Sequence, residues 1–204
     1  MYKYIIYDFD GTIANSYPVF AKALVETMKR HGIDIPYLTA YDQLKVSVGS
    51  AMRKNSTSAD EAKALTTEFY EIYFEIARKE LDAFSDAKEV LQYVKDHNKK
   101  NYIYTHTGKF VYEMLDKMGI ADLFEFILDG SYGFPSKPNP DALLFLMEKC
   151  NIDPDSALMV GDRDIDTNAA HNAGIHGCLI EDGYYPDCKT EHYIKNLSEL
   201  KNII

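Results

Sequence analysis

Short apolar runs alternate with helix-like patterns along most of the chain, and this alternation predicts an α/β fold. The first run, YIIY at residues 4–7, consists of β-branched and aromatic residues, as expected of a buried strand. Four more strand-like runs follow residue 82 and are separated by helical patterns: NYIYTHTG, FEFILDG, ALMVGD and HGCLIEDG. Because the helices between such strands cover both faces of a sheet, we expect a parallel sheet.

Residues 15–81 interrupt this alternation, because they show helical periodicity without a strand-like run. We therefore predict a helical domain of residues 15–81 that is inserted into an α/β core domain. The core domain is predicted to consist of residues 1–14 and 82–204. Its last segment, NLSELKNII, is typical of a short helix.

Turn and capping residues mark the ends of several predicted helices. Gly32 follows an amphipathic pattern and is expected to close the first helix. Ser58 and Glu61 have the spacing of a capping box at the start of a long helix. Asn139 is predicted to be the N-cap of a later helix, with Pro140 at its first position.

Composition and charge narrow the classes of partner and compartment. The chain has 204 residues, of which 46% are hydrophobic and 26% charged, which is ordinary for a globular protein. A net charge of −10 argues against nucleic acid as a partner, but it allows a small anionic substrate. No segment has the length of a membrane span or the pattern of a signal peptide, so we expect no membrane partner. The sequence predicts a cytoplasmic protein with three free thiols: Cys150, Cys178 and Cys188.

Polar side chains follow the predicted strands at the positions where ligands bind in α/β proteins. Asp8 and Asp10 come directly after the first strand, Thr105 ends the second, and Asp162 follows the fourth. Because ligands in such sheets bind beyond the carboxyl ends of the strands, we expect these side chains to lie close together. Each has a structural explanation taken alone, such as an Asx turn or a helix cap.

Two further polar residues extend this set. Lys137 lies in the proline-rich segment SYGFPSKPNP, and Asp166 follows Asp162 within GDRDID. Lys137 could be a solvated loop charge, and Asp166 could cap the following helix. A lysine, a hydroxyl group and several carboxylates at one edge of a sheet favour a functional interpretation instead.

The chemistry that suits this set is phosphoryl transfer assisted by magnesium. Mg²⁺ prefers carboxylate oxygens and substrate phosphate, and Asp8 with Asp162 could supply the carboxylates. A carboxylate can also attack phosphorus directly and form an aspartyl-phosphate. Lys137 and Thr105 could hold the phosphate oxygens, while Asp10 is placed to protonate the leaving oxygen and then to activate water.

Four motifs in order give the chain its resemblance to a known family. DFDGT (8–12), Thr105, the lysine of KPNP (137–140) and GDRDID (161–166) match the motifs of the haloacid dehalogenase-like hydrolase superfamily. The chain resembles in particular the branch of phosphoglycolate phosphatase-like and β-phosphoglucomutase-like enzymes. This resemblance implies a Rossmann-like parallel sheet and a small α-helical cap domain inserted after the first motif.

The resemblance also implies a role for each motif residue. Asp8 would be the nucleophile and Asp10 the acid and base, whereas Thr105 and Lys137 would bind the phosphate of a small phosphorylated metabolite. Mg²⁺ would be bound by three groups and supported by the carboxylate of Asp166. The three groups are the carboxylate of Asp8, the main-chain carbonyl of Asp10 and the carboxylate of Asp162.

Several alternatives stay open at the level of sequence. The second motif reads THTG, where Thr-Asn or Ser-Asn is frequent in the family, so the role of His106 is undetermined between a substrate contact and a turn residue. The same motifs would serve a phosphatase or a phosphosugar mutase, and a non-catalytic relative would bind a phosphorylated ligand. The position of the DxD pattern on the first strand argues against a phosphate-accepting receiver domain. The chain could be a monomer or a homodimer.

Overall fold

A six-stranded, fully parallel sheet forms the centre of the protein in the computed structural model, which describes residues 1–204. The strand order is β3-β2-β1-β4-β5-β6. The strands are β1 (Tyr4–Tyr7), β2 (Lys100–Tyr104), β3 (Phe124–Leu128), β4 (Ala157–Gly161), β5 (His176–Ile180) and β6 (His192–Ile194). The predicted α/β fold with a parallel sheet is confirmed. β6 was not predicted, because its three residues are too few to show a pattern.

The central strands β1 and β4 are buried on both faces, as expected of a parallel sheet between helices. Ile5 and Ile6 point to opposite faces of the sheet, and both are fully buried. On the face of Ile6, Met159 packs with Leu146 and Ala169 in one apolar cluster. Burying this apolar area holds the carboxyl ends of β1 and β4 side by side.

Four helices of the core domain connect these strands, and they have the following bounds. They are α5 (Ala87–Asp96), α6 (Phe110–Met118), α7 (Asp141–Cys150) and α8 (Asp164–Asn172). Helix α7 begins one residue later than predicted, because Pro140 and not Asn139 occupies the N-cap position. Asn139 instead accepts a hydrogen bond from the Asp141 N–H through its side-chain oxygen, at 2.8 Å. The predicted C-terminal helix is a 3₁₀ helix, Leu197–Asn202.

A second compact unit, Asn15–Asp82, consists of helices alone. Its helices are α1 (Tyr17–Arg30), α2 (Tyr37–Val46), α3 (Val48–Lys54) and α4 (Ala59–Glu80). Aromatic side chains of α1 and α4 pack together in its centre, with the rings of Phe20 and Tyr73 4.4 Å apart. Ser58 caps α4 as predicted by accepting from the Glu61 N–H, and the Glu61 carboxylate accepts from the N–H and the hydroxyl of Thr57. No helix of the chain is both long and apolar enough to cross a membrane.

The remainder of the chain, Met1–Ala14 and Ala83–Ile204, forms the compact α/β unit. Its two segments meet where the helical unit is inserted. Ala14 and Ala83 form an isolated antiparallel bridge, and the Phe84 N–H donates to the Ile13 carbonyl at 2.9 Å. The chain therefore leaves and re-enters the α/β unit through two neighbouring, hydrogen-bonded segments.

Candidate active site

Three carboxylates lie close together at the carboxyl edge of the sheet. Asp8 follows β1, Asp162 follows β4, and Asp166 lies in the first turn of α8. One oxygen of each lies within 4.8 Å of the others. These residues are only 8%, 1% and 1% exposed. The parallel register that pairs Tyr7 with Val160 explains why Asp8 and Asp162 meet.

Lys137 reaches this carboxylate cluster from the proline-rich loop. Its ammonium group donates to Asp8 Oδ1 at 2.6 Å and to Asp166 Oδ1 at 2.7 Å. A third hydrogen bond, 3.0 Å long, goes to the main-chain carbonyl of Tyr104 at the end of β2. Burial alone would lower the pKa of the Lys137 ammonium, but the charges of Asp166 and Asp8 raise it above its usual value. Lys137 therefore stays charged and connects the ends of β1, β2 and the start of α8.

Asp166 is held in place by its backbone neighbours as well as by Lys137. Its Oδ2 accepts a hydrogen bond from the Arg163 N–H at 3.2 Å, as expected of a residue that caps a helix. Burial raises the pKa of the Asp166 carboxyl, whereas Lys137 opposes this and Asp8 adds to it. The Asp166 side chain thus both caps α8, through the Arg163 N–H, and belongs to the carboxylate cluster, through Lys137.

Gly161, the last residue of β4, leaves the space that Asp166 fills. A Cβ atom at residue 161 would lie 2.3 Å from Asp166 Cβ and 2.4 Å from its Oδ2. We expect Gly161→Ala to displace Asp166 and to lower the free energy of unfolding by about 1–3 kcal/mol, as overpacking of a core does. Urea unfolding would measure this. Gly108→Ala is the matched control, since nothing lies within 4 Å of its added Cβ, and equal stability of the two variants would contradict the prediction.

Asp10 and Thr105 are linked through a residue that the sequence did not indicate, Thr107. The Thr107 hydroxyl donates to Asp10 Oδ2 at 2.6 Å, and the Thr107 N–H donates to Thr105 Oγ1 at 3.0 Å. Thr105 is 2% exposed, and its hydroxyl can still donate its own hydrogen to a bound anion. The sequence shows a second threonine in THTG, but its contact with Asp10 depends on the path of the loop and could not be predicted from the residue type.

His106 supports the Lys137 loop from the same turn. Its Nε2 accepts a hydrogen bond from the Lys137 N–H at 3.0 Å, so this nitrogen carries no proton in the folded protein. Partial burial of the ring and the charge of Lys137 lower the pKa of His106 to about 4. The structure therefore gives His106 a contact with the main chain of Lys137 that the sequence did not predict.

The lowered pKa of His106 predicts that the stability of the folded protein depends on pH. The ring should remain neutral in the folded protein while an unfolded chain protonates its histidines near 6.5. Because the unfolded state then binds the proton first, the contribution of His106 to stability is lost as pH falls from about 6.5 towards about 4. Titration of the His106 ring by NMR, assigned with His106→Gln, would measure this, and a midpoint near 6.5 would contradict it.

The charges of the cluster fit a bound cation. Asp8, Asp162 and Asp166 bring three buried carboxylates together, whereas Lys137 is the cation that contacts two of them. Like charges in a desolvated site repel strongly, and hard oxygen donors of this kind suit a divalent cation such as Mg²⁺. The donor set of these residues therefore matches the metal that the sequence predicts.

Comparisons with known proteins identify the family of this chain. The family model of the haloacid dehalogenase-like hydrolases matches residues 5–180. A phosphoglycolate phosphatase of Vibrio vulnificus is 32% identical over 193 residues, covering 89% of this chain and 85% of the relative. A phosphoglycolate phosphatase of Aquifex aeolicus is 27% identical, covering 89% of this chain and 86% of the relative.

A solved structure shows the same fold. The haloacid dehalogenase-type phosphatase of Thermococcus onnurineus superposes with a TM-score of 0.74 over 98% of this chain and 97% of its own, at 23% identity. The predicted Rossmann-like sheet with an inserted helical unit is thus found in a solved structure as well. With a family model that covers most of the chain and a relative of 32% identity, the chain belongs to the haloacid dehalogenase-like hydrolases.

Proposed function

We propose that the protein is a Mg²⁺-dependent phosphatase that hydrolyses a small phosphomonoester through an aspartyl-phosphate on Asp8. The observation that carries this proposal is the ammonium group of Lys137, which bridges Asp8 and Asp166 at 2.6 and 2.7 Å. It holds the proposed nucleophile in one orientation and places a positive charge where a phosphate would arrive. The relatives named phosphoglycolate phosphatase support the same chemistry.

The first half of the reaction uses Asp8 and Asp10. An oxygen of Asp8 attacks phosphorus, and the bond between phosphorus and the ester oxygen breaks as Asp10 protonates the departing alcohol. Lys137 and the Thr105 hydroxyl stabilise the charge that spreads over the phosphoryl oxygens. In the second half, Asp10 takes a proton from water as the water attacks phosphorus, and Asp8 is released.

Mg²⁺ would be held by the carboxylates of Asp8 and Asp162 and the main-chain carbonyl of Asp10, with Asp166 in support. When bound, the ion neutralises charge on the carboxylates and on the transferring phosphate. The ammonium group of Lys137 stays in place beside the ion, and its hydrogen bonds to Asp8 and Asp166 offset the repulsion between these two carboxylates.

The helical unit, Asn15–Asp82, is proposed to act as a cap that closes over the substrate and excludes water. A small phosphorylated metabolite is the proposed partner, with phosphoglycolate the first compound to test because of the names of the relatives. The three cysteines are free, which agrees with the proposed cytoplasmic location.

The test is phosphate release from 2-phosphoglycolate, p-nitrophenyl phosphate and β-glucose 1-phosphate, each with Mg²⁺ and with EDTA. Release that requires Mg²⁺ is the expected result. Conversion of β-glucose 1-phosphate to glucose 6-phosphate without net phosphate release would replace the proposal with a mutase. A folded protein that acts on none of these and on no wider panel of phosphomonoesters would overturn the proposal and favour a binding role.

A further inference from the structure

Thr107 makes a short contact with the proposed acid and base of the reaction. Its hydroxyl donates to Asp10 Oδ2 at 2.6 Å, across 97 positions of the sequence. Thr107 lies in THTG, the segment of the second motif, but neither that motif nor the strand pattern gives it a role at the site. The contact therefore has to be explained by what it does to Asp10.

The loop fixes Thr107 from both sides of its backbone. The Thr107 N–H donates to Thr105 Oγ1 at 3.0 Å, and the Gly130 N–H donates to the Thr107 carbonyl at 2.9 Å. Gly130 permits this close approach, because a Cβ there would lie 2.2 Å from the His106 carbonyl oxygen. These two hydrogen bonds fix the main chain of Thr107 without any contribution from Asp10. The Asp10 carboxylate therefore orients towards a hydroxyl whose backbone is already held in place.

A threonine hydroxyl has one hydrogen to donate, and here Asp10 Oδ2 accepts it. Because Oδ2 of Asp10 accepts this hydrogen, the proton that Asp10 transfers in the reaction is expected on its other oxygen, Oδ1. With Oδ2 held by this hydrogen bond, Oδ1 would be the oxygen that gives a proton to the leaving alcohol and later takes one from water. The hydrogen bond also restricts rotation of the Asp10 carboxyl group, so the same oxygen would serve both half-reactions.

We propose that Thr107 is a positioning residue that selects which oxygen of Asp10 transfers the proton. This inference rests on the proposed phosphatase function and extends it. Proton transfer to a leaving group matters most when the leaving alcohol is a poor one, as in an alkyl phosphate. It matters little for p-nitrophenyl phosphate, whose leaving group departs as a stable anion. The role of Thr107 should therefore depend on the leaving group.

The experiment compares Thr107→Val with Thr107→Ser in the full chain with Mg²⁺. The quantity measured is kcat/KM, because it reports the steps up to transfer of the phosphoryl group to Asp8. For an alkyl phosphomonoester that the wild type hydrolyses, we expect Thr107→Val to lower kcat/KM by about tenfold or more, within the range that general acid catalysis contributes. For p-nitrophenyl phosphate, we expect a change of less than about threefold. Thr107→Ser, which keeps the hydroxyl, should restore both values.

A second readout follows the other half-reaction. Since Asp10 also activates water, Thr107→Val should slow hydrolysis of the aspartyl-phosphate and give a burst of p-nitrophenol before the steady state. Thr67→Val is the matched control, because Thr67 is an exposed helical threonine whose hydroxyl donates to the Lys63 carbonyl. Thermal unfolding of each variant checks that the fold is kept.

The outcomes separate this inference from the proposed function. Equal losses on both kinds of substrate, no loss on either, or no rescue by Thr107→Ser would overturn the role of Thr107 while the wild type remains a phosphatase. A wild-type protein that releases phosphate from neither substrate would overturn the proposed function first, and the role of Thr107 with it.

Discussion

Asp8→Asn is expected to abolish phosphate release, with a loss of at least about 10⁴-fold, because an amide cannot attack phosphorus in place of a carboxylate. The fold should survive, since Lys137 can still donate to the amide oxygen where Oδ1 of Asp8 now accepts. Phosphate release with Mg²⁺ and thermal unfolding would measure the two effects separately. We expect loss of activity together with a melting temperature close to that of the wild type.

The control for Asp8→Asn is Asp116→Asn, which removes the same charge from an exposed position on α6. It should leave activity unchanged. Residual activity of Asp8→Asn above about one hundredth of the wild type, after purification free of other phosphatases, would show that Asp8 is not the nucleophile.

Lys137→Met is expected to remove activity and to lower the free energy of unfolding by about 3–5 kcal/mol, as breaking a buried ion pair does. The lysine side chain is 2% exposed, and its partners Asp8 and Asp166 are 11% and 1% exposed at the side chain. Removing the ammonium group leaves both carboxylates buried beside Asp162 without the cation that contacts them. Their mutual repulsion is the physical reason for the large expected effect.

Urea unfolding with and without Mg²⁺ would measure this prediction. Lys63→Met, at an exposed position of α4, is the matched control and should change stability little. Because a divalent cation can offset the same carboxylate charges, Mg²⁺ should restore part of the stability that Lys137→Met loses. An unchanged unfolding midpoint in Lys137→Met would contradict the structural role given to the lysine.

The sequence predicted best those site residues that directly follow a strand of the sheet. Asp8 and Asp162 follow two strands of a parallel sheet, so the strand pattern predicts that they share one edge, and the structure shows that the two strands are neighbours. Lys137 lies in a loop between two strands, so the pattern placed it near the same edge of the sheet, and its role as a phosphate ligand came from the family motif. No periodicity would have brought it to Asp8 across 129 positions of the sequence.

The contacts that could not be predicted depend on loop geometry and on close packing. Thr107 and His106 lie in the turn after β2, and their partners follow from the path of that turn rather than from their residue types. The need for glycine at position 161 appears only when Asp166 is seen to fill the adjacent space. The start of α7 also differs by one residue from the prediction. Asn139 accepts a hydrogen bond from the Asp141 N–H through its side chain although Pro140 is the N-cap, and the sequence does not distinguish these two arrangements.

The bridge between Ala14 and Ala83 has a consequence for how this protein could change over evolution. Because the two ends of the helical unit are hydrogen-bonded neighbours, the sheet requires only that the inserted segment return to its starting point. Closing a longer or shorter loop between fixed ends changes the free energy slowly with length. The helical unit can therefore gain, lose or exchange helices while β1 and the rest of the sheet keep their register. In such a protein, the proposed cap can diverge quickly, whereas the proposed catalytic residues of the α/β unit stay fixed.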